Sequence, residues 1–317
     1  MKEMIYLDNA ATTKTRQEVV DAMLPYFTEY YGNASAVYDF GAKAREAMDR
    51  SRETIGEILH TDAGNIYFTA GGSESDNWAL RGIAEACSDR GRHIITTAIE
   101  HHAVLHTCQY LEKQGFEVTY LPVDEEGKIS LEELRRAIRE DTILISVMFA
   151  NNEIGTIEPI RQIGEIAHER GVLFHTDAVQ AFGQVPIDVE EMQIDLLSAS
   201  GHKFGGPKGV GFLYIRKGVK IRPLIYGGAQ EKKRRAGTEN VPGIVGLGKA
   251  AEIAAETMES RARQETKLRD YLIDEVLRRV PYTRCNGSRD DRLPNNASFC
   301  FRFIEGESLL IMLDMKG

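Results

Sequence analysis

Cysteine is scarce in this chain: Cys87, Cys108, Cys285 and Cys300 are the only four in 317 residues, far apart and without a Cys-x-x-Cys pair. That excludes a disulfide-framed secreted module and a zinc knuckle, and it predicts reduced thiols and a cytoplasmic location. Long hydrophobic runs are missing too. No segment reaches the roughly 20 apolar residues of a membrane-crossing helix. The start, Met1-Lys2-Glu3-Met4, has no signal-peptide core, so no membrane partner is expected. Basic residues do not dominate, since 39 lysines and arginines stand against 48 acids for a net charge of -9. Only Lys232-Lys233-Arg234-Arg235 forms a basic run, so nucleic acid is excluded as a direct ligand. Internal repeats and low-complexity tracts are absent. What is present, 42% hydrophobic and 27% charged residues, is ordinary globular composition, and the length predicts one large domain with a smaller one.

Strand-like and helix-like segments alternate along the chain. Apolar runs predict strands at 66–69, 94–98, 116–121, 142–149, 172–175, 210–215 and 297–303, and Leu196-Leu197 reads as the end of another buried strand that runs into a small-residue turn. Helical periodicity and end signals predict helices over 16–30, 41–59, 73–87, 130–139, 159–170, 244–259, 261–280 and 306–315. Ser130 with Glu133 forms a capping box. Ser73 reads as the cap of the helix after Ala70-Gly71-Gly72, and Asp177 as an equally good cap for a short helix through Phe182. Residues 226–242 form a long polar loop, a length that marks function or an interface.

Between the end of one buried strand and the start of the next lies Ser200-Gly201-His202-Lys203-Phe204-Gly205-Gly206-Pro207. Glycines let backbone approach a ligand closely, and a lysine half-buried beside strand ends has its ammonium discouraged and its amine made nucleophilic toward a carbonyl. Four more polar loops follow strands, at 70–73, 100–102, 150–153 and 177–180. In a largely parallel sheet these loops share one edge, where ligands bind. Their contents match pyridoxal phosphate. Gly72, Ser73, Ser200 and His202 suit a phosphate at a helix start. Asp177 suits a protonated pyridine nitrogen, His101 a flat ring face, loop amides the ring oxygen, and Lys203 the aldehyde. His102 and His106 have helical metal-ligand spacing, but with no acid between them and no third ligand, no metal site is expected.

On these stretches the chain resembles the NifS-type cysteine desulfurases, class V members of the fold-type I pyridoxal-phosphate enzymes. The resemblance runs through Tyr6 to Thr13, Phe68 to Asn77, Glu100 to Cys108, Asn151 to Gly155, His175 to Gln180, Ser200 to Gly211 and Arg235 to Val241. It implies an α/β, three-layer large domain with a mostly parallel sheet over 15–250. A smaller α+β domain, 1–14 with 251–317, would be incomplete at its C-terminal side. It implies that Lys203 carries the cofactor and moves the substrate Cα proton, with Asp177 on the ring nitrogen and His101 over the ring, able to assist at the thiol. Gly72, Ser73, Asn152, Gln180, Ser200 and His202 complete the cofactor site. Thr238 reaches the phosphate from the partner subunit of a homodimer. The implied reaction takes sulfur from L-cysteine, giving L-alanine and an enzyme persulfide for an iron–sulfur scaffold or a thiolation acceptor. Selenocysteine lysis, another class V reaction, and a catalytically silent cofactor-binding dimer are the alternatives. Asn33 to Tyr38 lacks the proline, second serine and histidine of the family pattern. The family's sulfur-accepting cysteine and carboxylate-binding arginine are expected beyond Gly317, and none of the four cysteines matches the former.

Overall fold

The computed structural model describes residues 5–317. In chain order the elements are α1 (Gln17–Met23), α2 (Pro25–Thr28), α3 (Ala42–Ile58), β1 (Ile66–Thr69), α4 (Gly72–Cys87) and β2 (His93–Thr97). Next come α5 (His102–Lys113), β3 (Glu117–Leu121), α6 (Leu131–Ala137), β4 (Thr142–Ser146), α7 (Ile160–Glu169) and β5 (Leu173–Asp177). The remainder is β6 (Leu196–Ser200), β7 (Gly211–Ile215), α8 (Gln230–Lys233), α9 (Val241–Arg279), β8 (Thr283–Cys285), β9 (Phe299–Phe301) and α10 (Gly306–Asp314).

Seven strands form one sheet in the order β1-β7-β6-β5-β4-β2-β3. β7 is antiparallel to both its neighbours, and the pairs β5–β6, β4–β5, β2–β4 and β2–β3 are parallel. Reversal on both sides of β7 leaves β1 running with β6. The C-terminal ends of β1, β2, β4, β5 and β6 therefore open on one edge.

Successive strand residues supply opposite faces, as pleating requires. Ile66, Phe68, Ile95, Ile145, Leu197 and Phe212 enter one apolar cluster, shared with α3, α7 and the first half of α9. Tyr67, Ile94, Leu144, Leu196 and Leu213 enter a second, with Trp78, Ile83, Val104 and Leu111 of α4 and α5. These two cores make the chain a three-layer α/β structure, and each large buried aliphatic or aromatic side chain contributes about 1.5–3 kcal/mol relative to exposure.

Several boundaries differ from the sequence reading. The helix expected over 16–30 is broken at Pro25, which has no N–H to continue the ladder. The two helices expected over 244–280 are one helix of 39 residues. Ser260 does not interrupt it, because its hydroxyl donates to the Thr257 carbonyl at 3.0 Å within the helix. β8 pairs antiparallel with β9 in a separate two-stranded sheet and is too short, at 3 residues, to show a pattern. Among the described residues no helix is long and apolar enough to cross a membrane.

Candidate active site

The shared strand edge carries a cavity of about 440 Å³. Gly72, Ser73, His101, Asn152, Asp177, Gln180, Ser200, His202 and Lys203 all line it. Nine of the ten residues singled out from sequence are thus brought together from five loops. Thr238 is not. Within one chain it lines a neighbouring cleft of about 140 Å³ with Phe68, Ala70, Glu231 and Arg235.

Lys203 ends a tight 3-10 turn after β6, and the turn's brevity leaves its stem no helix face to lie along. Its Nζ donates to the carbonyls of Ala10 and Ala11, the latter at 2.9 Å. Burial pushes its ammonium below the ordinary lysine value, against the opposing pull of Asp177 and Asp8. The N-terminal segment is held over the turn by paired bonds: Thr13 N–H to the His202 carbonyl at 2.9 Å, and Gly205 N–H to Thr13 Oγ1 at 2.8 Å. Gln180 Nε2 also donates to the Ala10 carbonyl, at 2.9 Å. Sequence reasoning missed Ala10 and Ala11 as lysine partners because a backbone carbonyl leaves no signature in a side-chain pattern. His202 contacts Thr12 Oγ1 at 3.1 Å, and burial holds its imidazolium below the usual range.

Asp177 is the last residue of β5 and is buried. Its Oδ1 accepts the Val179 N–H at 2.9 Å, so it closes a turn; the short helix expected through Phe182 does not form. Burial raises its carboxyl, with the Val179 hydrogen bond, His101 and Lys203 pulling the other way. His101 caps α5, its Nδ1 accepting the Ala103 N–H at 3.1 Å, which leaves the other ring nitrogen as the one that can donate. His102 and His106 stack with ring centroids 4.9 Å apart on the same helix.

The cap of α4 is Gly71 rather than Ser73. Gly71 has φ 149°, outside the range of ordinary side chains, and no side chain caps the helix start. The turn also presses on β7: a Cβ at Gly211 would lie 2.4 Å from the Ala199 carbonyl oxygen and 2.8 Å from Gly71 Cα. Beneath it Glu74 Oε2 accepts the Ala70 N–H at 2.9 Å, while the Glu74 carboxylate pairs with Arg235 at 2.8 Å. Asp76, to which the sequence reading gave no role, is buried and lines the cavity.

This donor set fits pyridoxal phosphate. An unpaired helix N-terminus with Ser73, Ser200 and His202 nearby suits a phosphate. The buried carboxyl of Asp177 suits a cationic ring nitrogen, and Lys203 suits an aldehyde. The unpartnered Asp76 Oδ1 shows a polar cavity that the protein alone does not satisfy.

Residues 5–317 match the family model for the class-V aminotransferases, and the chain belongs to that family. Enzymes of this class depend in general on pyridoxal phosphate. Its relatives include the cysteine desulfurase IscS of Methanosarcina thermophila, 62% identical over 313 residues that cover 99% of this chain and 77% of that one. The cysteine desulfurase IscS of Clostridium botulinum strain Hall is 57% identical over 319 positions, covering 100% and 80%. Among solved structures, a NifS-like protein superposes with a TM-score of 0.96 at 43% identity, over 99% of this chain and 86% of its own. A structure described as SspA in complex with cysteine gives a TM-score of 0.87 at 38% identity, over 99% and 87%.

Proposed function

We propose that this chain is a pyridoxal-phosphate-dependent cysteine desulfurase, acting on L-cysteine. The observation that carries the reading is Lys203: a lysine with a suppressed ammonium, in one cavity with Asp177, His101 and the open start of α4. Relatives named cysteine desulfurase at 62% and 57% identity support the substrate. When bound, pyridoxal phosphate supplies an aldehyde that condenses with amines and a ring that delocalises negative charge from Cα.

The chain's own residues divide the remaining work. Lys203 would hold the cofactor's aldehyde carbon, and its amine would move the substrate Cα proton. Asp177 would hold the ring nitrogen protonated, Gly72, Ser73, Ser200 and His202 would bind the phosphate, and Asn152 and Gln180 would orient the ring. His101 covers the ring face and exchanges a proton at the substrate sulfur. None of Cys87, Cys108, Cys285 and Cys300 lines the cavity, so in this reading the sulfur passes to a thiol brought there from elsewhere. An iron–sulfur scaffold or a thiolation protein is the proposed final acceptor, in the cytoplasm.

A homodimer is part of the proposal. Ser35 Oγ bonds to Glu239 at 2.8 Å, and Ala236 N–H to the Ile225 carbonyl at 3.3 Å. These links gather the exposed side chains of Val37, Tyr38, Phe40 and Tyr226 onto the loops that carry Thr238. Exposed apolar surface of this kind favours a partner, and Thr238 across such an interface is proposed to reach the second cavity's phosphate. The division into 15–250 and 1–14 with 251–317 is kept as a proposal; the continuous α9 links the two parts.

The test is incubation of the cofactor-loaded protein with L-cysteine in deuterated water and a thiol as sulfur acceptor. Alanine and deuterium at Cα are expected, both abolished by Lys203→Ala, with exchange slowed by orders of magnitude in Asp177→Asn. Unchanged L-cysteine with no exchange contradicts the reading.

A further inference from the structure

Asp76 has no place in the division of roles above. Its side chain is 1% exposed, Oδ1 has no hydrogen-bond partner, and it lines the cavity beside Asp177. One donor atom from each of Asp76, His101 and Asp177 lies within 4.8 Å of the other two. That limit is the span of two hydrogen bonds of about 2.8 Å through one water.

We propose that Asp76 is a positioning residue for Asp177, donating a carboxyl hydrogen bond to its carboxylate, directly or through one water, so that Asp177 stays anionic and fixed in direction toward the cofactor's ring nitrogen. This rests on the reading of Lys203 and Asp177 given above.

The surroundings decide which acid holds the proton. Two buried carboxyls this close do not both ionise. Asp177 has the better-stabilised charge, with the Val179 N–H on Oδ1 and Lys203 facing it. Asp76 has acids on two sides, and His101, within 4.8 Å of both Asp76 and Asp177, does not separate the two. From β5 it meets Asp177 and His175, and from the loop before α5 it meets Glu100. From β6 the Ser198 hydroxyl hydrogen-bonds toward it and opposes the rise, but it carries no charge and is shared with His175 Nε2 at 3.0 Å. His175 Nε2 is 3.7 Å away, but burial pushes that imidazole down to about 3, so it is neutral. Its two nitrogens are already engaged by Ser146 Oγ at 2.9 Å and Ser198 Oγ at 3.0 Å. Burial first, and then Asp177, push the Asp76 carboxyl well above the usual range. The proton stays on Asp76, and its free oxygen is a donor looking for an acceptor.

The test compares Asp76→Leu, which keeps size and removes the donor, with Asp76→Asn, which keeps a donor and cannot ionise. Wild-type protein is loaded with pyridoxal phosphate and reduced with borohydride; an adduct on Lys203 is required, and its absence overturns the cofactor reading and the inference with it. Cofactor affinity and the pH midpoint of the visible band are then measured for each variant, with circular dichroism to verify folding. Asp76→Leu is expected to weaken affinity about tenfold or more, the effect of one hydrogen bond to a charged group, and to move the midpoint. Asp76→Asn is expected to restore both most of the way. If the leucine variant does not fold, Asp76→Ala gives the same contrast. A donor-free variant that behaves as wild type overturns the inference while leaving the cofactor reading intact. Asparagine performing as badly as leucine also overturns it, because charge rather than donation would then be the requirement.

Discussion

Replacing Glu100 by glutamine removes one titrating group while keeping the side chain's shape and its observed bonds. Glu100 is 5% exposed, and its Oε1 accepts the Thr97 hydroxyl and the Met148 N–H, each at 2.8 Å. Oε2 has no partner. Burial raises the carboxyl from 4.5 to about 8, with Asp177 and Glu158 adding to the rise and the two hydrogen bonds opposing it. The folded state therefore holds a proton that the unfolded chain releases above its ordinary value. Stability from this group is fully present below 4.5 and is lost progressively as pH rises toward 8. Linkage over that interval sets an upper limit of about 5 kcal/mol. Glutamine mimics the protonated form at every pH. Glu100→Gln is thus expected to have little effect at pH 5 and to become the more stable protein at pH 9, by a few kcal/mol. For a chain of this size that is a rise of roughly 2 °C in melting temperature per kcal/mol. Paired urea or thermal unfolding curves across this pH range read the difference directly. A stability gap between the two proteins that does not change with pH would refute the reasoning.

Three further outcomes are expected. Glu231→Ala leaves Arg52 buried without the carboxylate that meets it through two bonds of 2.9 Å, and also frees the Phe68 N–H, so a loss of roughly 3–5 kcal/mol in chemical unfolding is expected; recovery in Arg52→Met/Glu231→Leu checks the cause. Gly211→Ala forces a Cβ against the Ala199 carbonyl and is expected to cost about 1–3 kcal/mol and to loosen cofactor retention through the Gly71 turn, measured by dialysis. If the proposed dimer forms through this surface, Tyr226→Asp with Val37→Asp is expected to give a monomer by light scattering and to weaken phosphate retention, since Thr238 would no longer reach the second cavity.

The parts of the fold that sequence revealed are those in which burial repeats along the chain. Ile143, Leu144 and Ile145 could only be a strand covered on both faces, and the polar residues that follow each such strand marked the ligand edge. Direction was hidden. Nothing in Gly211 to Ile215 distinguishes an antiparallel strand from the parallel ones beside it, because pairing sense depends on where the chain re-enters the sheet. Caps were read from residue type, and geometry overruled them: Gly71, at φ 149°, takes the place assigned to Ser73. The continuous α9 was hidden by its change from apolar to charged residues, which tracks its departure from the core rather than a break. In the site, side chains with chemistry were legible and backbone acceptors were not. Asp76 was legible only as an acid near a helix start, since whether α4 turns it toward solvent or toward Asp177 depends on the packing of the whole layer.

The most direct measurement is the site of covalent attachment. Protein loaded with pyridoxal phosphate and reduced with borohydride, then digested and mapped by mass spectrometry, is predicted to carry the reduced adduct on Lys203 alone, and Lys203→Ala to carry none. An adduct on Lys208, or on no lysine of the cavity edge, would contradict the account.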